Sequence, residues 1–412
     1  MVRNLLTILI LAGVIVSAGM VLAGQSDPDK KPLPEIVGAE KALAGSANDF
    51  GFELFARLAN ETSADSNMLI SPLSAITALA MTYNGAWGKT MTEMGRALRI
   101  PDMPEPVLNE SFHDLTTYLA QSDPSVTLEI ANSIWYDRSL PVKPDFVTTM
   151  KQSYDATVRG LVFGPGTADT INAWVAEKTH DHIQDMLSSP IDATLVMFLV
   201  NAVYFNAAWT QPFDPSVTSD ADFHRPDGST KTCRMMMSRG TLNHLDTGDF
   251  QSVEIPYGDG QYSMIVMLPG TGESVDDLSA QLTAGNWKQW TSEMSETNIA
   301  LRLPKFTFSD GHGLNDALKA MGMVEAFERS ADFSRMAEGG GIWIDSVLQK
   351  CFIRVDERGT EAGAATVVSM KKSLIREVTL DRPFLFAVCE RTTGAVLFLG
   401  RVVDPVIESE NK

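Results

Sequence analysis

Apolar positions recur at helical spacing over residues 47–60, where Phe50, Leu54, Phe55 and Leu58 share one face. A polar break at residues 61–67 leads into Met68-Leu69-Ile70. Ser71 can then cap a second helix whose first turn suits Pro72. That helix, residues 73–83, is apolar or small almost throughout, the pattern of a buried helix, and Gly85 ends it. Helical patterns follow at residues 88–98, 107–120, 146–154, 169–187, 278–292 and 313–321. Strand patterns cover residues 126–130, 133–136, 157–163, 252–255, 262–268, 299–308 and 342–355. Residues 194–204 (TLVMFLVNAVY) form a continuous apolar run of central-strand type. Residues 383–403 are two apolar runs joined by Arg391-Thr392-Thr393-Gly394, a hairpin signal. Helices and strands mixed without βαβ regularity predict an α+β fold, and no repeat or composition break after residue 45 divides it.

One stretch, residues 355–385, does not declare itself. Gly359-Thr360-Glu361-Ala362-Gly363-Ala364-Ala365-Thr366 is a run of small residues without proline, so every backbone N–H is free for a strand ladder. As a strand it would carry Thr360, Ala362, Ala364, Thr366 and Val368 on one face, all small enough to slip between two strands. Composition alone favours an exposed helix or loop, because Glu and Ala prefer helices. Met370-Lys371-Lys372-Ser373-Leu374, further on, is basic and polar in an acidic protein.

Charge and chemistry narrow the function. With 412 residues, 44% of them hydrophobic, the chain can bury a large core. Acidic residues outnumber basic ones 52 to 33, and the net charge of −19 argues against nucleic acid and anionic membranes as partners. Residues 1–24 read as a signal peptide: Arg3, an apolar run at 5–16, and Val21-Leu22-Ala23-Gly24 as a cleavage site. The apolar stretch 5–23 is nearly long enough to span a bilayer, so an uncleaved N-terminal anchor is the alternative to secretion. Residues 25–45, with Pro28, Pro32 and Pro34, read as a linker before a domain at 46–408. Three cysteines are too few and too far apart for a disulfide scaffold or zinc site. His180 and His182, two apart on the predicted helix 169–187, make a poor metal pair. No G-x-S-x-G, H-E-x-x-H, Walker or G-x-G-x-x-G pattern is present, and neither an enzyme nor a cofactor or metal is expected.

Several blocks, spread in order over residues 46–406, resemble the serpin family of serine protease inhibitors. Ser71-Pro72-Leu73-Ser74 with Asn84-Gly85-Ala86 resembles its buried second helix, and Ile171-Asn172-Ala173-Trp174-Val175 the helix crossing its main sheet. The run 199–209 (LVNAVYFNAAW), Leu303-Pro304-Lys305-Phe306, Asp356 through Thr366, and Asp381-Arg382-Pro383-Phe384-Leu385-Phe386 with 397–402 complete the likeness. The resemblance implies one domain of three β-sheets and eight to nine helices with an exposed reactive loop at about residues 357–380.

It also implies a mechanism. A target serine protease attacks the loop and forms an acyl-enzyme. The hinge then inserts as a new strand in the main sheet and traps the protease covalently. The hinge matches Glu357, Gly359, Thr360, Glu361, Ala362, Gly363, Ala364, Ala365 and Thr366, where Gly363 replaces the commoner alanine. The positions controlling sheet opening match Ser71, Ser74, Asn201, Trp209 and Gln349. The family frequently has a histidine where Gln349-Lys350 stands; Gln349 can donate and accept, which keeps a bond toward Asn201 without an imidazole's pH response.

Counting back from Arg382-Pro383-Phe384 puts the scissile bond at Lys372–Ser373, which suits a trypsin-like pocket. Cleavage after Lys371 or after Ser373 are the alternatives, the latter implying an elastase-like or subtilisin-like target. Residues 107–120 contain Glu110 and Asp114 and no lysine or arginine, so no heparin-type activator is expected. A monomer is expected, with loop insertion between molecules as the route to polymers. The runner-up is a non-inhibitory carrier or chaperone on the same fold, against which the small-residue hinge argues.

Overall fold

The face formed by Phe50, Leu54, Phe55 and Leu58 is buried on α1 (Gly38–Glu61). This helix begins nine residues before the predicted start at 47, inside the stretch read as a linker, and buries Leu43 and Ala44 as well. The Glu40 carboxylate accepts the Val37 N–H at its N-terminus, an end signal that the nearby prolines obscure. The computed structural model describes residues 33–192, 194–360 and 375–407. The N-terminal segment 1–24, most of the linker, and loop residues 361–374 lie outside them.

After α1 come β1 (Met68–Ile70), α2 (Pro72–Gly85), α3 (Gly88–Ala97), α4 (Glu105–Gln121), β2 (Val126–Asp137), α5 (Pro144–Tyr154) and β3 (Thr157–Leu161). Pro72 occupies the first turn of α2, but the Ser71 side chain makes no cap bond there; only its carbonyl joins the helix, accepting the Ala75 N–H at 3.0 Å. The two strand patterns at 126–130 and 133–136 fuse into the one strand β2. Next are α6 (Thr167–Lys178) and β4 (Met197–Ala208). The helix predicted over 169–187 stops at Lys178, because His180 and Asp181 take left-handed φ of 49° and 64° and turn the chain out of the helix.

Beyond β4 the chain forms β5 (Ser219–His224), β6 (Thr230–Asp246), β7 (Phe250–Tyr257), β8 (Tyr262–Pro269), α7 (Val275–Ala280), α8 (Ala284–Glu293), β9 (Ser295–Pro304), β10 (Phe306–Gly313), α9 (Asn315–Ala320), β11 (Ser346–Val355), β12 (Gly359–Thr360), β13 (Arg376–Thr379), β14 (Phe384–Glu390) and β15 (Val396–Val402). The single strand predicted at 299–308 is two, β9 and β10, in different sheets and separated by Lys305.

The α+β class and nine α-helices among the described residues agree with the expectation, but the strands there make two hydrogen-bonded sheets, not three. One runs β1-β15-β14-β8-β7-β6-β9-β13 with β5 on β6; the other runs β10-β11-β4-β2-β3 with β12 on β4. The reason is β6. Ten of its 17 residues pair with β9, from Met235↔Pro304 to His244↔Ser295, while β5 takes its first part and β7 its last, so no break separates a third sheet.

The six-stranded sheet positions the site. Its central strand β4 is antiparallel to β2 along nearly its whole length, from Val126↔Ala207 to Tyr136↔Met197. Its pairing with β11 is parallel and short, from Ser346↔Phe198 to Cys351↔Val203. Above that point the two strands part, and β12 pairs with the far end of β4 at Gly359↔Ala208 and Thr360↔Ala207. The buried helix α2 belongs to the main core, together with Leu199 and Val203 of β4. A second core holds Trp135, Phe198, Val200 and Ala202 of the sheet with Ile171 and Val175 of α6.

Within the other sheet, Gly400 of β15 is packed so closely that a Cβ would sit 2.3 Å from the Phe386 ring and 3.0 Å from the Met68 carbonyl oxygen. The ring and strand leave no room to yield, so Gly400→Ala is expected to lower unfolding free energy by about 1–3 kcal/mol in urea titration. An unchanged midpoint would contradict this packing.

Candidate functional site

The strand fork is closed at its lower end by a row of polar side chains in an apolar setting. Gln349 of β11, Asn201 of β4 and Asn132 of β2 stand at one register, each 1–2% exposed. Gln349 Nε2 donates to Asn201 Oδ1 at 2.7 Å and to the Ser71 carbonyl at 3.0 Å, while Gln349 Oε1 accepts the Ser71 N–H at 2.9 Å. Asn201 Nδ2 donates to Asn132 Oδ1 at 2.7 Å and to the Ser74 hydroxyl. Ser71 and Ser74 belong to the start of α2, so the buried helix serves as the floor to which both strands are tied. A buried polar group deprived of its partner costs about 1–3 kcal/mol. Parting β4 from β11 would strip partners from several at once.

The upper end is fixed as firmly. The Trp209 indole N–H donates to the Asp356 carbonyl at 3.0 Å, and its backbone N–H to the Arg358 carbonyl at 2.9 Å. The indole stacks on Tyr257 at 4.3 Å, and the Tyr257 and Thr360 hydroxyls are 2.9 Å apart in a fully buried contact. Burial pushes the Tyr257 phenol well above its usual range, so it is neutral and free to donate. Gly359 has φ 148°, and a Cβ there would lie 2.2 Å from the Ala207 carbonyl oxygen. Only glycine lets the chain come this close to β4.

Glu357 is an anchor beside that root. Its carboxylate accepts from Lys305 Nζ at 2.6 Å and from the Thr218 hydroxyl at 2.9 Å, and its carbonyl accepts the Phe213 N–H at 2.8 Å. Burial works to raise its pKa, but the bonds from Lys305 and Thr218 outweigh it and hold the carboxyl below the usual glutamate value.

The structure thus places Ser71, Ser74, Asn201 and Gln349 in one cluster, and Trp209, Glu357, Gly359 and Thr360 in a second at the opposite end of the fork. Glu361, Ala362, Gly363, Ala364, Ala365, Thr366, Lys372 and Ser373 lie outside the described residues. Sequence reasoning gave no role to Asn132, Tyr257, Lys305 or Thr218. Asn132 fell in the gap between the strand patterns at 126–130 and 133–136, and only their fusion into β2 shows it as an amide within a strand. Tyr257 and Thr218 carried no signal, because their partners are distant in sequence.

A family model described as Serpin (serine protease inhibitor) matches residues 45–405. An uncharacterized serpin-like protein of Thermococcus kodakarensis is 33% identical, over 89% of this chain and 87% of its own length. The leukocyte elastase inhibitor of Xenopus laevis is 32% identical over 88% of this chain and 99% of its own. Among solved structures, human thyroxine-binding globulin complexed with its hormone is similar with a TM-score of 0.83 and 28% identity, covering 90% of this chain and all of that one.

The Glu357 anchor makes a pH prediction. A depressed folded pKa contributes stability that is complete above the unfolded value, about 4.3, and is lost as pH falls through the folded one. Lys305→Met removes the main source of the depression. Urea unfolding of wild type and variant should differ most at neutral pH and converge as pH drops below about 4. A gap that stays constant with pH would contradict the assignment.

Proposed function

The chain belongs to the serpin family, and from that premise we propose that it inhibits serine proteases as a suicide substrate, with Lys372–Ser373 as the bait bond. Members of the family are typically non-catalytic inhibitors, and no catalytic residue of this chain takes part. The protease serine adds to the Lys372 carbonyl, the bond to Ser373 breaks with its nitrogen leaving protonated, and an ester links Lys372 to the protease. The Lys372 ammonium suits a specificity pocket with an acidic floor, which makes a trypsin-like target the first choice.

The observation that carries the reading is the fork. Pairing of β4 with β11 ends at Val203–Cys351, while β12 already occupies the far end of β4. Continuing the register of Gly359↔Ala208 and Thr360↔Ala207 would set Ala362 against Phe205 and Ala364 against Val203 in the inserted product. Small side chains at these positions enter without overpacking the core. Helix α4 carries Glu110 and Asp114 and no lysine or arginine, which favours action without a polyanionic activator. Export through residues 1–24, cleaved or kept as an anchor, would bring the inhibitor to extracellular proteases.

A carrier role is the second reading, favoured by the likeness to the hormone-bound globulin. The two separate on a denaturing gel after incubation with trypsin. The inhibitory reading expects an SDS-stable band of protease plus inhibitor, and it expects Ala364→Arg to lose that band while still being cleaved. Clean cleavage of the wild type with no such band would contradict inhibition, and release of a C-terminal peptide beginning elsewhere than Ser373 would move the bait bond.

A further inference from the structure

The end of α6 leads into a segment, residues 179–187, that crosses the outer face of the fork. Thr179 turns it by donating to the Val175 carbonyl and accepting the Ile183 N–H at 3.2 Å. Asn172 of α6 holds its other end, exchanging two 2.8 Å bonds with the Leu187 backbone. Between these ties the left-handed residues His180 and Asp181 redirect the chain, and the next side chain is His182. Its ring lies between two aromatic rings, 5.4 Å from Tyr204 at 13° and 4.6 Å from Phe352 at 19°.

Tyr204 belongs to β4 and Phe352 to β11, and each is the residue immediately after the last paired couple, Val203 and Cys351. The imidazole is therefore inserted at the point where the two strands separate. Neighbouring contacts run the same way across the fork: His180 Nε2 lies 3.0 Å from Glu129 of β2, and Lys350 of β11 pairs with Asp185 at 2.6 Å.

We infer that His182 is a positioning residue for loop insertion, a ring that ties β4 to β11 at the fork and must be released before a strand can enter. The inference rests on reading the fork as the insertion path. One added strand moves β4 and β11 apart by a further ~4.8 Å. Stacked rings lose contact beyond a centroid separation of about 7 Å, so His182 cannot keep both partners in the inserted state. The three-ring stack stabilises the closed fork and contributes little once a strand is in place. Removing it lowers the barrier to insertion and leaves the inserted product unaffected.

The test uses the full, uncleaved chain and a synthetic peptide copying residues 359–370, whose uptake into the sheet is followed on native gels. His182→Ala is expected to take up the peptide about tenfold faster than the wild type. His182→Phe keeps a ring in the stack and should remain within about threefold of the wild type. The peptide-loaded forms of the wild type and His182→Ala should unfold at the same temperature. Equal uptake rates for wild type and His182→Ala, absence of uptake in both, or a His182→Phe rate matching that of His182→Ala would overturn the inference. So would an equal loss of thermal stability with and without peptide, which would mark a merely structural role. No protease enters this assay, so a missing protease complex would count against the inhibitory reading and not against the stack.

Discussion

The hydrogen bond from Gln349 to Asn201 holds the arrangement together, because it joins the two strands that any inserted segment must part. It does not act alone. Asn201 also reaches Asn132 and Ser74, and Gln349 is tied to both backbone groups of Ser71, so the row is continuous from β2 across β4 to β11 and down to α2. Such a network is strong only while every member is satisfied. It therefore makes the sheet behave as two-state at this point, either closed with all bonds made or opened with other partners supplied. The apolar residues around it, such as Leu199 and Val203, set no such condition.

Much of this was legible in the sequence, for local reasons. The apolar run containing Asn201 marked a central strand, and the near-continuous apolar pattern after Pro72 marked a buried helix. Gly359 was singled out by its place in a small-residue run, and the structure supplies the reason in the 2.2 Å approach to the Ala207 carbonyl. What escaped were backbone turns that the apolar periodicity hides and features set by partners far along the chain. The end of α6 at Lys178 depends on Thr179, His180 and Asp181 taking a turn that the apolar periodicity through Leu187 conceals. The pairing of β6 with β5, β7 and β9 joins into one sheet strands that the expected count of three sheets would have divided. His180 and His182 looked like a failed metal pair on a helix, whereas in the turn one faces Glu129 and the other lies between two rings.

The same geometry gives an energetic account of inhibition. Among the described residues no strand lies between β4 and β11 from Val203 and Cys351 up to β12, and β12 ends at Thr360 opposite Ala207 of β4. Filling the gap would add ladder hydrogen bonds on both edges, each worth about 1 kcal/mol net. Opening it would require the polar row and the covering segment at 179–187 to give way first. On the proposed mechanism the uncleaved protein would be held by a barrier rather than by being the most stable arrangement, and cleavage of the bait would release the segment that completes the sheet.

That claim has a direct measurement: thermal unfolding before and after a catalytic amount of protease cuts the loop. Completion of the sheet predicts that the cleaved protein unfolds more than about 10 °C above the intact one. An unfolding temperature that stays the same or falls on cleavage would contradict storage of the inhibitory work in an incomplete sheet.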